Sequence, residues 1–266
     1  MLDRFNRNLN YLRISVTDRC NLRCSYCMPE EGIRLLRHED ILSFDEIAKF
    51  TRVAVKNGVT KVRITGGEPL VRNGITTLVR MISDIKGITD LSMTTNGVLL
   101  KEFADRLKAA GLHRVNISLD TIDPEKFTAI TRTGNINDVF DGIKAATSAG
   151  LLPIKINCVV KDSKNEAEAN GVTMFCKDKG LEIRYIRQMD LIKGHFSRVE
   201  GGTGGDCSLC NRLRLTANGK LKPCLFSDME FDIRQLGSEK AILLAAEMKP
   251  ECGSKNETNA FYNIGG

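Results

Sequence analysis

The chain has no tryptophan, and phenylalanine and tyrosine bring the aromatic content to only 6%. A nucleic-acid-binding module needs stacking side chains or a basic track beside its contact motif. Neither accompanies the C-x2-C pair of this chain, so the formal net charge of +6 does not identify a nucleic-acid binder. No apolar run approaches the roughly 20 residues of a bilayer span, which excludes a membrane protein. Met1 to Asn10 carries charges but lacks the apolar core, about 7 to 15 residues long, of a secretory signal. The expected location is cytoplasmic. A hydrophobic content of 42% over 266 residues is enough to build one large core.

Against these absences stand nine cysteines. In a reducing compartment, clustered cysteines serve metals or catalysis more often than disulfides. Cys20, Cys24 and Cys27 form a C-x3-C-x2-C run ahead of Met28-Pro29. A [4Fe–4S] cube normally takes four thiolates, so three leave one iron open for an exogenous ligand. A structural zinc wants a closed tetrahedron, and no His or fourth Cys nearby fits a knuckle.

Strands alternate with helices along the chain. Tyr11 to Thr17 reads as a strand that runs directly into the cysteine loop. Ser43 and Glu46 form a capping box for a helix whose stripe is Ile47, Phe50 and Ala54, ending at Gly58. Further strands are expected at Lys61 to Thr65, Leu91 to Thr95, Arg114 to Leu119, Ile154 to Val160 and Glu182 to Met189. Helices are expected over about Gly74 to Ile85, over Leu100, Phe103, Ala104 and Leu107, and after an Asn137 cap over Val139, Phe140 and Ile143. Such alternation implies right-handed crossovers and a parallel sheet. The predicted fold class is α/β, an open partial (β/α)6 barrel over residues 1–190 with a small cluster-binding extension over 191–266. Active sites of such folds lie at the carboxyl ends of the strands.

At the end of the second strand stands Gly66-Gly67-Glu68-Pro69. Two glycines let a backbone approach a ligand closely, although the same sequence also suits a plain tight turn. A second cysteine group, Cys207, Cys210 and Cys224, has C-x2-C-x13-C spacing and follows Gly201, Gly202, Gly204 and Gly205, a flexible lead-in. Arg212 and Arg214, two residues apart on an expected strand, point to one side. Permanent cations there favour an anionic or hydrogen-bond-accepting ligand. A zinc ribbon or a four-thiolate cluster completed by Cys252 stays open at this point. Cys158 and Cys176 read as core thiols.

The first cysteine run and the Gly-Gly-Glu-Pro turn resemble the radical S-adenosylmethionine (SAM) superfamily. That resemblance implies a [4Fe–4S] cluster on Cys20, Cys24 and Cys27 whose open iron takes SAM. It also implies SAM contacts from Tyr26, Gly66, Gly67, Glu68, Thr95, Ser118, Asn157 and Met189, with Thr95-Asn96-Gly97 after the third strand. With Leu12 to Cys20, Thr94 to Gly97, Asn116 to Asp120 and the final Ile264-Gly265-Gly266 added, the chain is similar to the GTP 3′,8-cyclase family of molybdenum cofactor biosynthesis. The resemblance then implies a second [4Fe–4S] cluster on Cys207, Cys210 and Cys224 that binds guanine. It implies GTP contacts from Arg13, Lys61, Arg63, Lys155, Arg184, Arg212 and Arg214, and entry of Gly265 and Gly266 into the active site. Inward-facing cations on several strands agree with an anion, since burying unpaired charge is costly.

The implied reaction is a radical cyclisation of GTP: hydrogen abstraction from C3′, addition to C8, then gain of an electron and a proton. It requires an electron donor such as flavodoxin or ferredoxin and hands its product to a cyclic pyranopterin monophosphate synthase; a homodimer is compatible. Two departures stand out. The connection 190–206 is shorter than in typical members, which should remove part of the wall beside the second cluster, and Arg187 stands where an acidic residue is usual. The alternative activity is a radical SAM enzyme that modifies a peptide or another nucleotide and carries an auxiliary cluster.

Overall fold

A computed structural model describes residues 1–259 and 261–264. Six parallel strands appear in chain order: β1 (Tyr11–Ser15), β2 (Lys61–Thr65), β3 (Asp90–Thr95), β4 (Arg114–Ser118), β5 (Lys155–Val160) and β6 (Glu182–Arg187). Between them lie helices α1 (Phe44–Lys56), α2 (Ile75–Ser83), α3 (Leu100–Ala109), α4 (Pro124–Thr131), α5 (Ile136–Ser148) and α6 (Ala167–Lys179). The remainder forms β7 (Arg212–Leu215), β8 (Lys220–Lys222), β9 (Phe231–Asp232), α7 (Ile233–Leu236), α8 (Ser238–Glu247) and α9 (Phe261–Ile264). The strand order is β6-β5-β4-β3-β2-β1-β7-β8-β9. The six-stranded core matches the expected α/β half-barrel. The C-terminal segment extends it, because β7 adds in parallel to β1 and β8 and β9 follow antiparallel.

Alternation along each strand sorts core from site. Leu12 and Ile14 of β1, and Val62 and Ile64 of β2, are fully buried in the hydrophobic core. Their neighbours Tyr11, Arg13, Lys61, Arg63 and Thr65 line a cavity on the opposite face. The Ser43–Glu46 capping box forms: Ser43 Oγ accepts from Glu46 N at 3.2 Å, and Glu46 Oε2 accepts from Ser43 N at 2.7 Å. Ile47, Phe50 and Ala54 of α1 are buried as the sequence periodicity requires. Cys158 and Cys176 are core thiols.

Three expectations need correction. Asn137 does not cap α5; Asn135 does, accepting from Asn137 N at 3.0 Å. Helix α4 was not anticipated, although Asp123 accepts from Glu125 N and Lys126 N and Pro124 opens its first turn. The first and last core strands end at Ser15 and Arg187 rather than at Thr17 and Met189. No helix among the described residues is long and apolar enough to cross a membrane.

Candidate active site: two cysteine groups on one arginine-lined cavity

A cavity of about 510 Å³ runs along the inner face of the parallel strands, from their first residues Tyr11, Lys61, Asp90 and Arg114 to the loops at their carboxyl ends. Cys20, Cys24 and Cys27 line one part of it, in the loop that leaves β1. Helix α4 supports that loop: Arg23 N and Ser25 N donate to the carbonyls of Thr131 and Ile130, each at 3.0 Å. Arg132, in the left-handed region at φ 62°, donates Nη1 to the carbonyls of Arg23 and Met28, both at 3.1 Å. Burial, reinforced by the neighbouring thiols, pushes Cys24 up to about 12 and Cys27 up to about 11. These thiols therefore hold their protons at neutral pH until a metal displaces them.

The Gly-Gly-Glu-Pro turn is stitched to the same loop. Gly67 N donates to Thr17 O at 2.7 Å and Glu68 N to Arg19 O at 2.8 Å. A Cβ on Gly67 would stand 2.4 Å from Arg19 O, so glycine is required there by the cysteine loop itself. From sequence the glycines fit either close approach of a ligand or a plain tight turn, and packing against the cysteine loop was not foreseen. Gly66 and Gly67 line the cavity, together with Tyr26, Thr95, Ser118, Asn157 and Met189.

Glu68 is absent from the lining, and its carboxylate is an internal brace. Oε1 accepts from Leu70 N at 3.0 Å and Thr95 Oγ1 at 2.8 Å, and Oε2 accepts from Asn96 N at 2.7 Å. Burial raises this carboxyl to about 7 against those three donors. Tyr26 donates its hydroxyl to Asp120 Oδ2 at 2.8 Å, which fixes the ring beside Cys24 and Cys27.

Cys207, Cys210 and Cys224 line the same cavity. Lys249, 1% exposed, donates Nζ to Arg212 O at 2.9 Å and also to Pro223 O, tying together the segments that carry Cys210 and Cys224. Burial raises the Cys210 thiol, but the Lys249 ammonium, the Arg212 backbone N–H and the Arg212 and Arg214 charges outweigh it, and its pKa falls below the ordinary value. Cys252 is exposed, with its Sγ 3.2 Å from that of Cys207.

Between the two cysteine groups lie the cations. Arg13, Lys61, Arg63, Arg184, Arg212 and Arg214 all line the cavity. Register places Arg13 opposite Arg63 on β2 and opposite Arg214 on β7. Like charges side by side in a sheet are destabilising. Burial, with the neighbouring arginines adding, holds Arg13 well below its usual range and Arg214 at about 10. Lys155 is not part of this set: it pairs with Glu182 and does not line the cavity. Sequence reasoning missed Tyr11, whose ring lies 5.5 Å from Arg63 Cζ and 5.7 Å from Arg212 Cζ. It also missed Arg114, which faces the cavity while paired to Asp90 at 2.6 Å. The inward parity of Arg114 with Ser118 was the available signal.

The short connection after β6 supplies part of the cavity wall. Phe196, Ser197, Val199 and residues 202–206 line the cavity, and Phe196 packs on Phe226 with ring centroids 4.5 Å apart. Nor is the glycine run a loose lead-in. Gly205 sits at φ 76°, and a Cβ there would stand 1.9 Å from Ser197 O. At the end of the chain, Phe261 lines the cavity and Ile264 is buried with Leu191, Leu225 and Phe226. Gly265 and Gly266 lie outside the described residues.

The donor chemistry fits the cofactors that the sequence implies. Three thiols on one side of a cavity are a ligand set for an iron–sulfur cube with an open corner. The buried hydroxyls of Thr65 and Thr94, both on the lining, have no hydrogen-bond partner among the described residues and suit a polar ligand.

Comparison with known proteins agrees. The Radical SAM superfamily matches residues 14–175, and the family described as Molybdenum Cofactor Synthesis C matches 175–261. A GTP 3′,8-cyclase of Thermodesulfovibrio yellowstonii is 46% identical over 282 positions, covering 89% of this chain and 88% of the relative. One from Moorella thermoacetica is 44% identical over 279 positions, covering 88% and 86%. Each aligned span exceeds the 266 residues of this chain, so these relatives carry residues that it lacks. Among solved structures, Streptococcus suis SuiB bound to S-adenosylmethionine superposes with a TM-score of 0.67 at 17% identity, over 91% of this chain and 64% of that one, a likeness of fold. The two family matches meet in α6 and both contribute strands to one sheet, and the relatives align across both of them: the chain belongs to the GTP 3′,8-cyclase family of radical SAM enzymes.

Proposed function

We propose that this chain converts GTP into (8S)-3′,8-cyclo-7,8-dihydroguanosine 5′-triphosphate, an early step of molybdenum cofactor biosynthesis. The observation that carries the reading is the opening of both three-cysteine groups and the arginine row onto one cavity. In this reading Cys20, Cys24 and Cys27 hold the SAM-binding [4Fe–4S] cluster, and Cys207, Cys210 and Cys224 hold a second one that meets the guanine base. Loaded with cluster and SAM, the site supplies a deoxyadenosyl radical.

The protein's own share is placement. Gly66, Gly67, Thr95, Ser118, Asn157 and Met189, all on the cavity lining, would hold SAM in this reading, and the Tyr26–Asp120 hydrogen bond fixes the lip of the cysteine loop. Arg13, Arg63 and Arg214, with Arg184 and Arg212, bind and orient the triphosphate. Holding C3′ and C8 in contact makes ring closure effectively unimolecular. The walls formed by Phe196, Val199 and Phe226 exclude water from the open-shell intermediate. An external donor of flavodoxin or ferredoxin type supplies electrons, and a cyclic pyranopterin monophosphate synthase takes the product.

The test is anaerobic reconstitution followed by incubation with SAM, a reductant and GTP, with products read by mass. The expected result is about eight irons per chain, deoxyadenosine formation and an isomer of GTP. About four irons, or zinc at the second cysteine group, rejects the two-cluster reading; deoxyadenosine without a GTP isomer rejects the substrate.

A further inference from the structure

Cys252 belongs to neither three-cysteine group, yet its placement is built. Arg7, 7% exposed, donates Nη1 to the carbonyls of Cys207 and Glu251, both at 2.8 Å, and Nη2 to Pro250 O at 2.7 Å. Its Nε is held by Asp3 Oδ2 at 2.6 Å. One buried guanidinium thus clamps the backbone of Cys207 to the residues just before Cys252. The two sulfurs stand 3.2 Å apart, and Cys252 is open to solvent. Terminal thiolates on different irons of a cube point outward from separate corners, so this pair does not have the arrangement of two ligands of one cluster. A disulfide needs about 2.05 Å between sulfurs, a closure of roughly one ångström that side-chain rotation can supply.

We propose that Cys252 is a redox partner of Cys207, closing a reversible disulfide that withdraws Cys207 from the second cluster when that cluster is lost. The inference rests on the reading of Cys207 as a ligand of the second cluster. The oxidant is a low-molecular-weight disulfide. The exposed Cys252 thiolate attacks one of its sulfurs, forming a mixed disulfide and releasing one small thiol. The Cys207 thiolate then attacks the Cys252 sulfur, and the second small thiol leaves. Two protein thiols are oxidised and one small disulfide is reduced, so atoms and electrons balance. A small dithiol reverses both steps and returns Cys207 for cluster assembly. Cys207 and Cys210 lie close in sequence, but it is Cys207 whose sulfur the clamp sets 3.2 Å from that of Cys252.

The test uses the full chain, reconstituted or left without iron, equilibrated anaerobically with oxidised and reduced glutathione, digested without reductant and mapped by fragment mass. The expected dominant linkage in the iron-free chain is Cys207–Cys252. It should be absent from the reconstituted chain and be lost in Cys252→Ser, whose iron content should equal that of the parent. Random pairing among Cys207, Cys210, Cys224 and Cys252, or a glutathione adduct on Cys252 that never resolves, overturns the proposal. So does a loss of about four irons in Cys252→Ser, which would make Cys252 a ligand. Failure of the linkage with eight irons retained leaves the two-cluster reading standing, whereas a normal linkage with four irons in the parent removes the cluster reading instead.

Discussion

Arg13 on β1 lies directly across the sheet from Arg214 on β7, and both face the cavity. With Arg63 opposite Arg13 on β2, three arginines stand abreast, Arg63 and Arg214 buried and Arg13 half-buried between them. Such a row opposes folding and favours a polyanion, so its removal should cost binding rather than stability. Arg63→Met is expected to weaken GTP binding by about 1.5–3 kcal/mol without lowering the melting temperature. Titration calorimetry with GTP and guanosine checks the first part, and scanning calorimetry the second. Lys155→Ala should change GTP affinity by less than about 0.5 kcal/mol, because this lysine is engaged with Glu182 outside the cavity. Equal affinity of the parent for GTP and guanosine would reject the triphosphate assignment.

Glu68 gives a pH signature. Burial raises its carboxyl from 4.5 to about 7 in the folded chain. The folded state therefore holds the proton more tightly than the unfolded one. Its contribution to stability is complete below about pH 4.5 and declines as pH rises to about 7. The decline attributable to this group is on the order of 1–3 kcal/mol. Urea unfolding midpoints between pH 5 and 7.5 should fall with rising pH more steeply in the parent than in Glu68→Gln. The same slope in both proteins would show that Glu68 is not the titrating group.

Local signals in the sequence reached most of the core. Strand β2 and the Ser43 capping box follow from alternation and from a four-residue pattern, both readable without tertiary knowledge. Helix α4 had an equally local signal, Asp123 as cap with Pro124 next, and was overlooked because its short apolar face, Phe127 alone at 4% exposure, gives little periodicity. The pairing of β7 with β1 had no such signal: it joins residues about 200 apart through register alone. For the same reason the cavity's cysteines and strand-end residues were legible by motif. The braces behind them, Arg7 and Lys249, were not, since each acts through backbone carbonyls that any residue type can present.

Lys249 is the sharper of those two braces to test. Its ammonium reaches the carbonyls of Arg212 and Pro223 from a site closed to water. Lys249→Met keeps the volume but strips both charge-assisted donors, for an expected loss of about 2 kcal/mol of stability. More specifically, reconstitution should then lose about four irons while the SAM-binding cluster stays loaded. The check is iron analysis beside reductive SAM cleavage. A variant that loads both clusters fully would reduce Lys249 to an ordinary packing residue.

The final prediction concerns residues 261–266. Phe261 lines the cavity and Ile264, 1% exposed, is packed with Leu191, Leu225 and Phe226, so α9 is anchored at the mouth of the site. Removing Gly265 and Gly266 takes away no side chain and leaves that anchor in place. Iron content and melting temperature should stay at parent values. If the tail completes the substrate position, formation of the cyclised nucleotide should nonetheless fall sharply while SAM cleavage continues. Truncation from Phe261 onward removes the buried Ile264 as well, and should cost a further 1.5–3 kcal/mol or so of stability. The comparison separates function from anchoring: if the two-residue deletion cyclises GTP at the parent rate and only the longer one fails, α9 serves the fold and the glycine pair has no part in the chemistry.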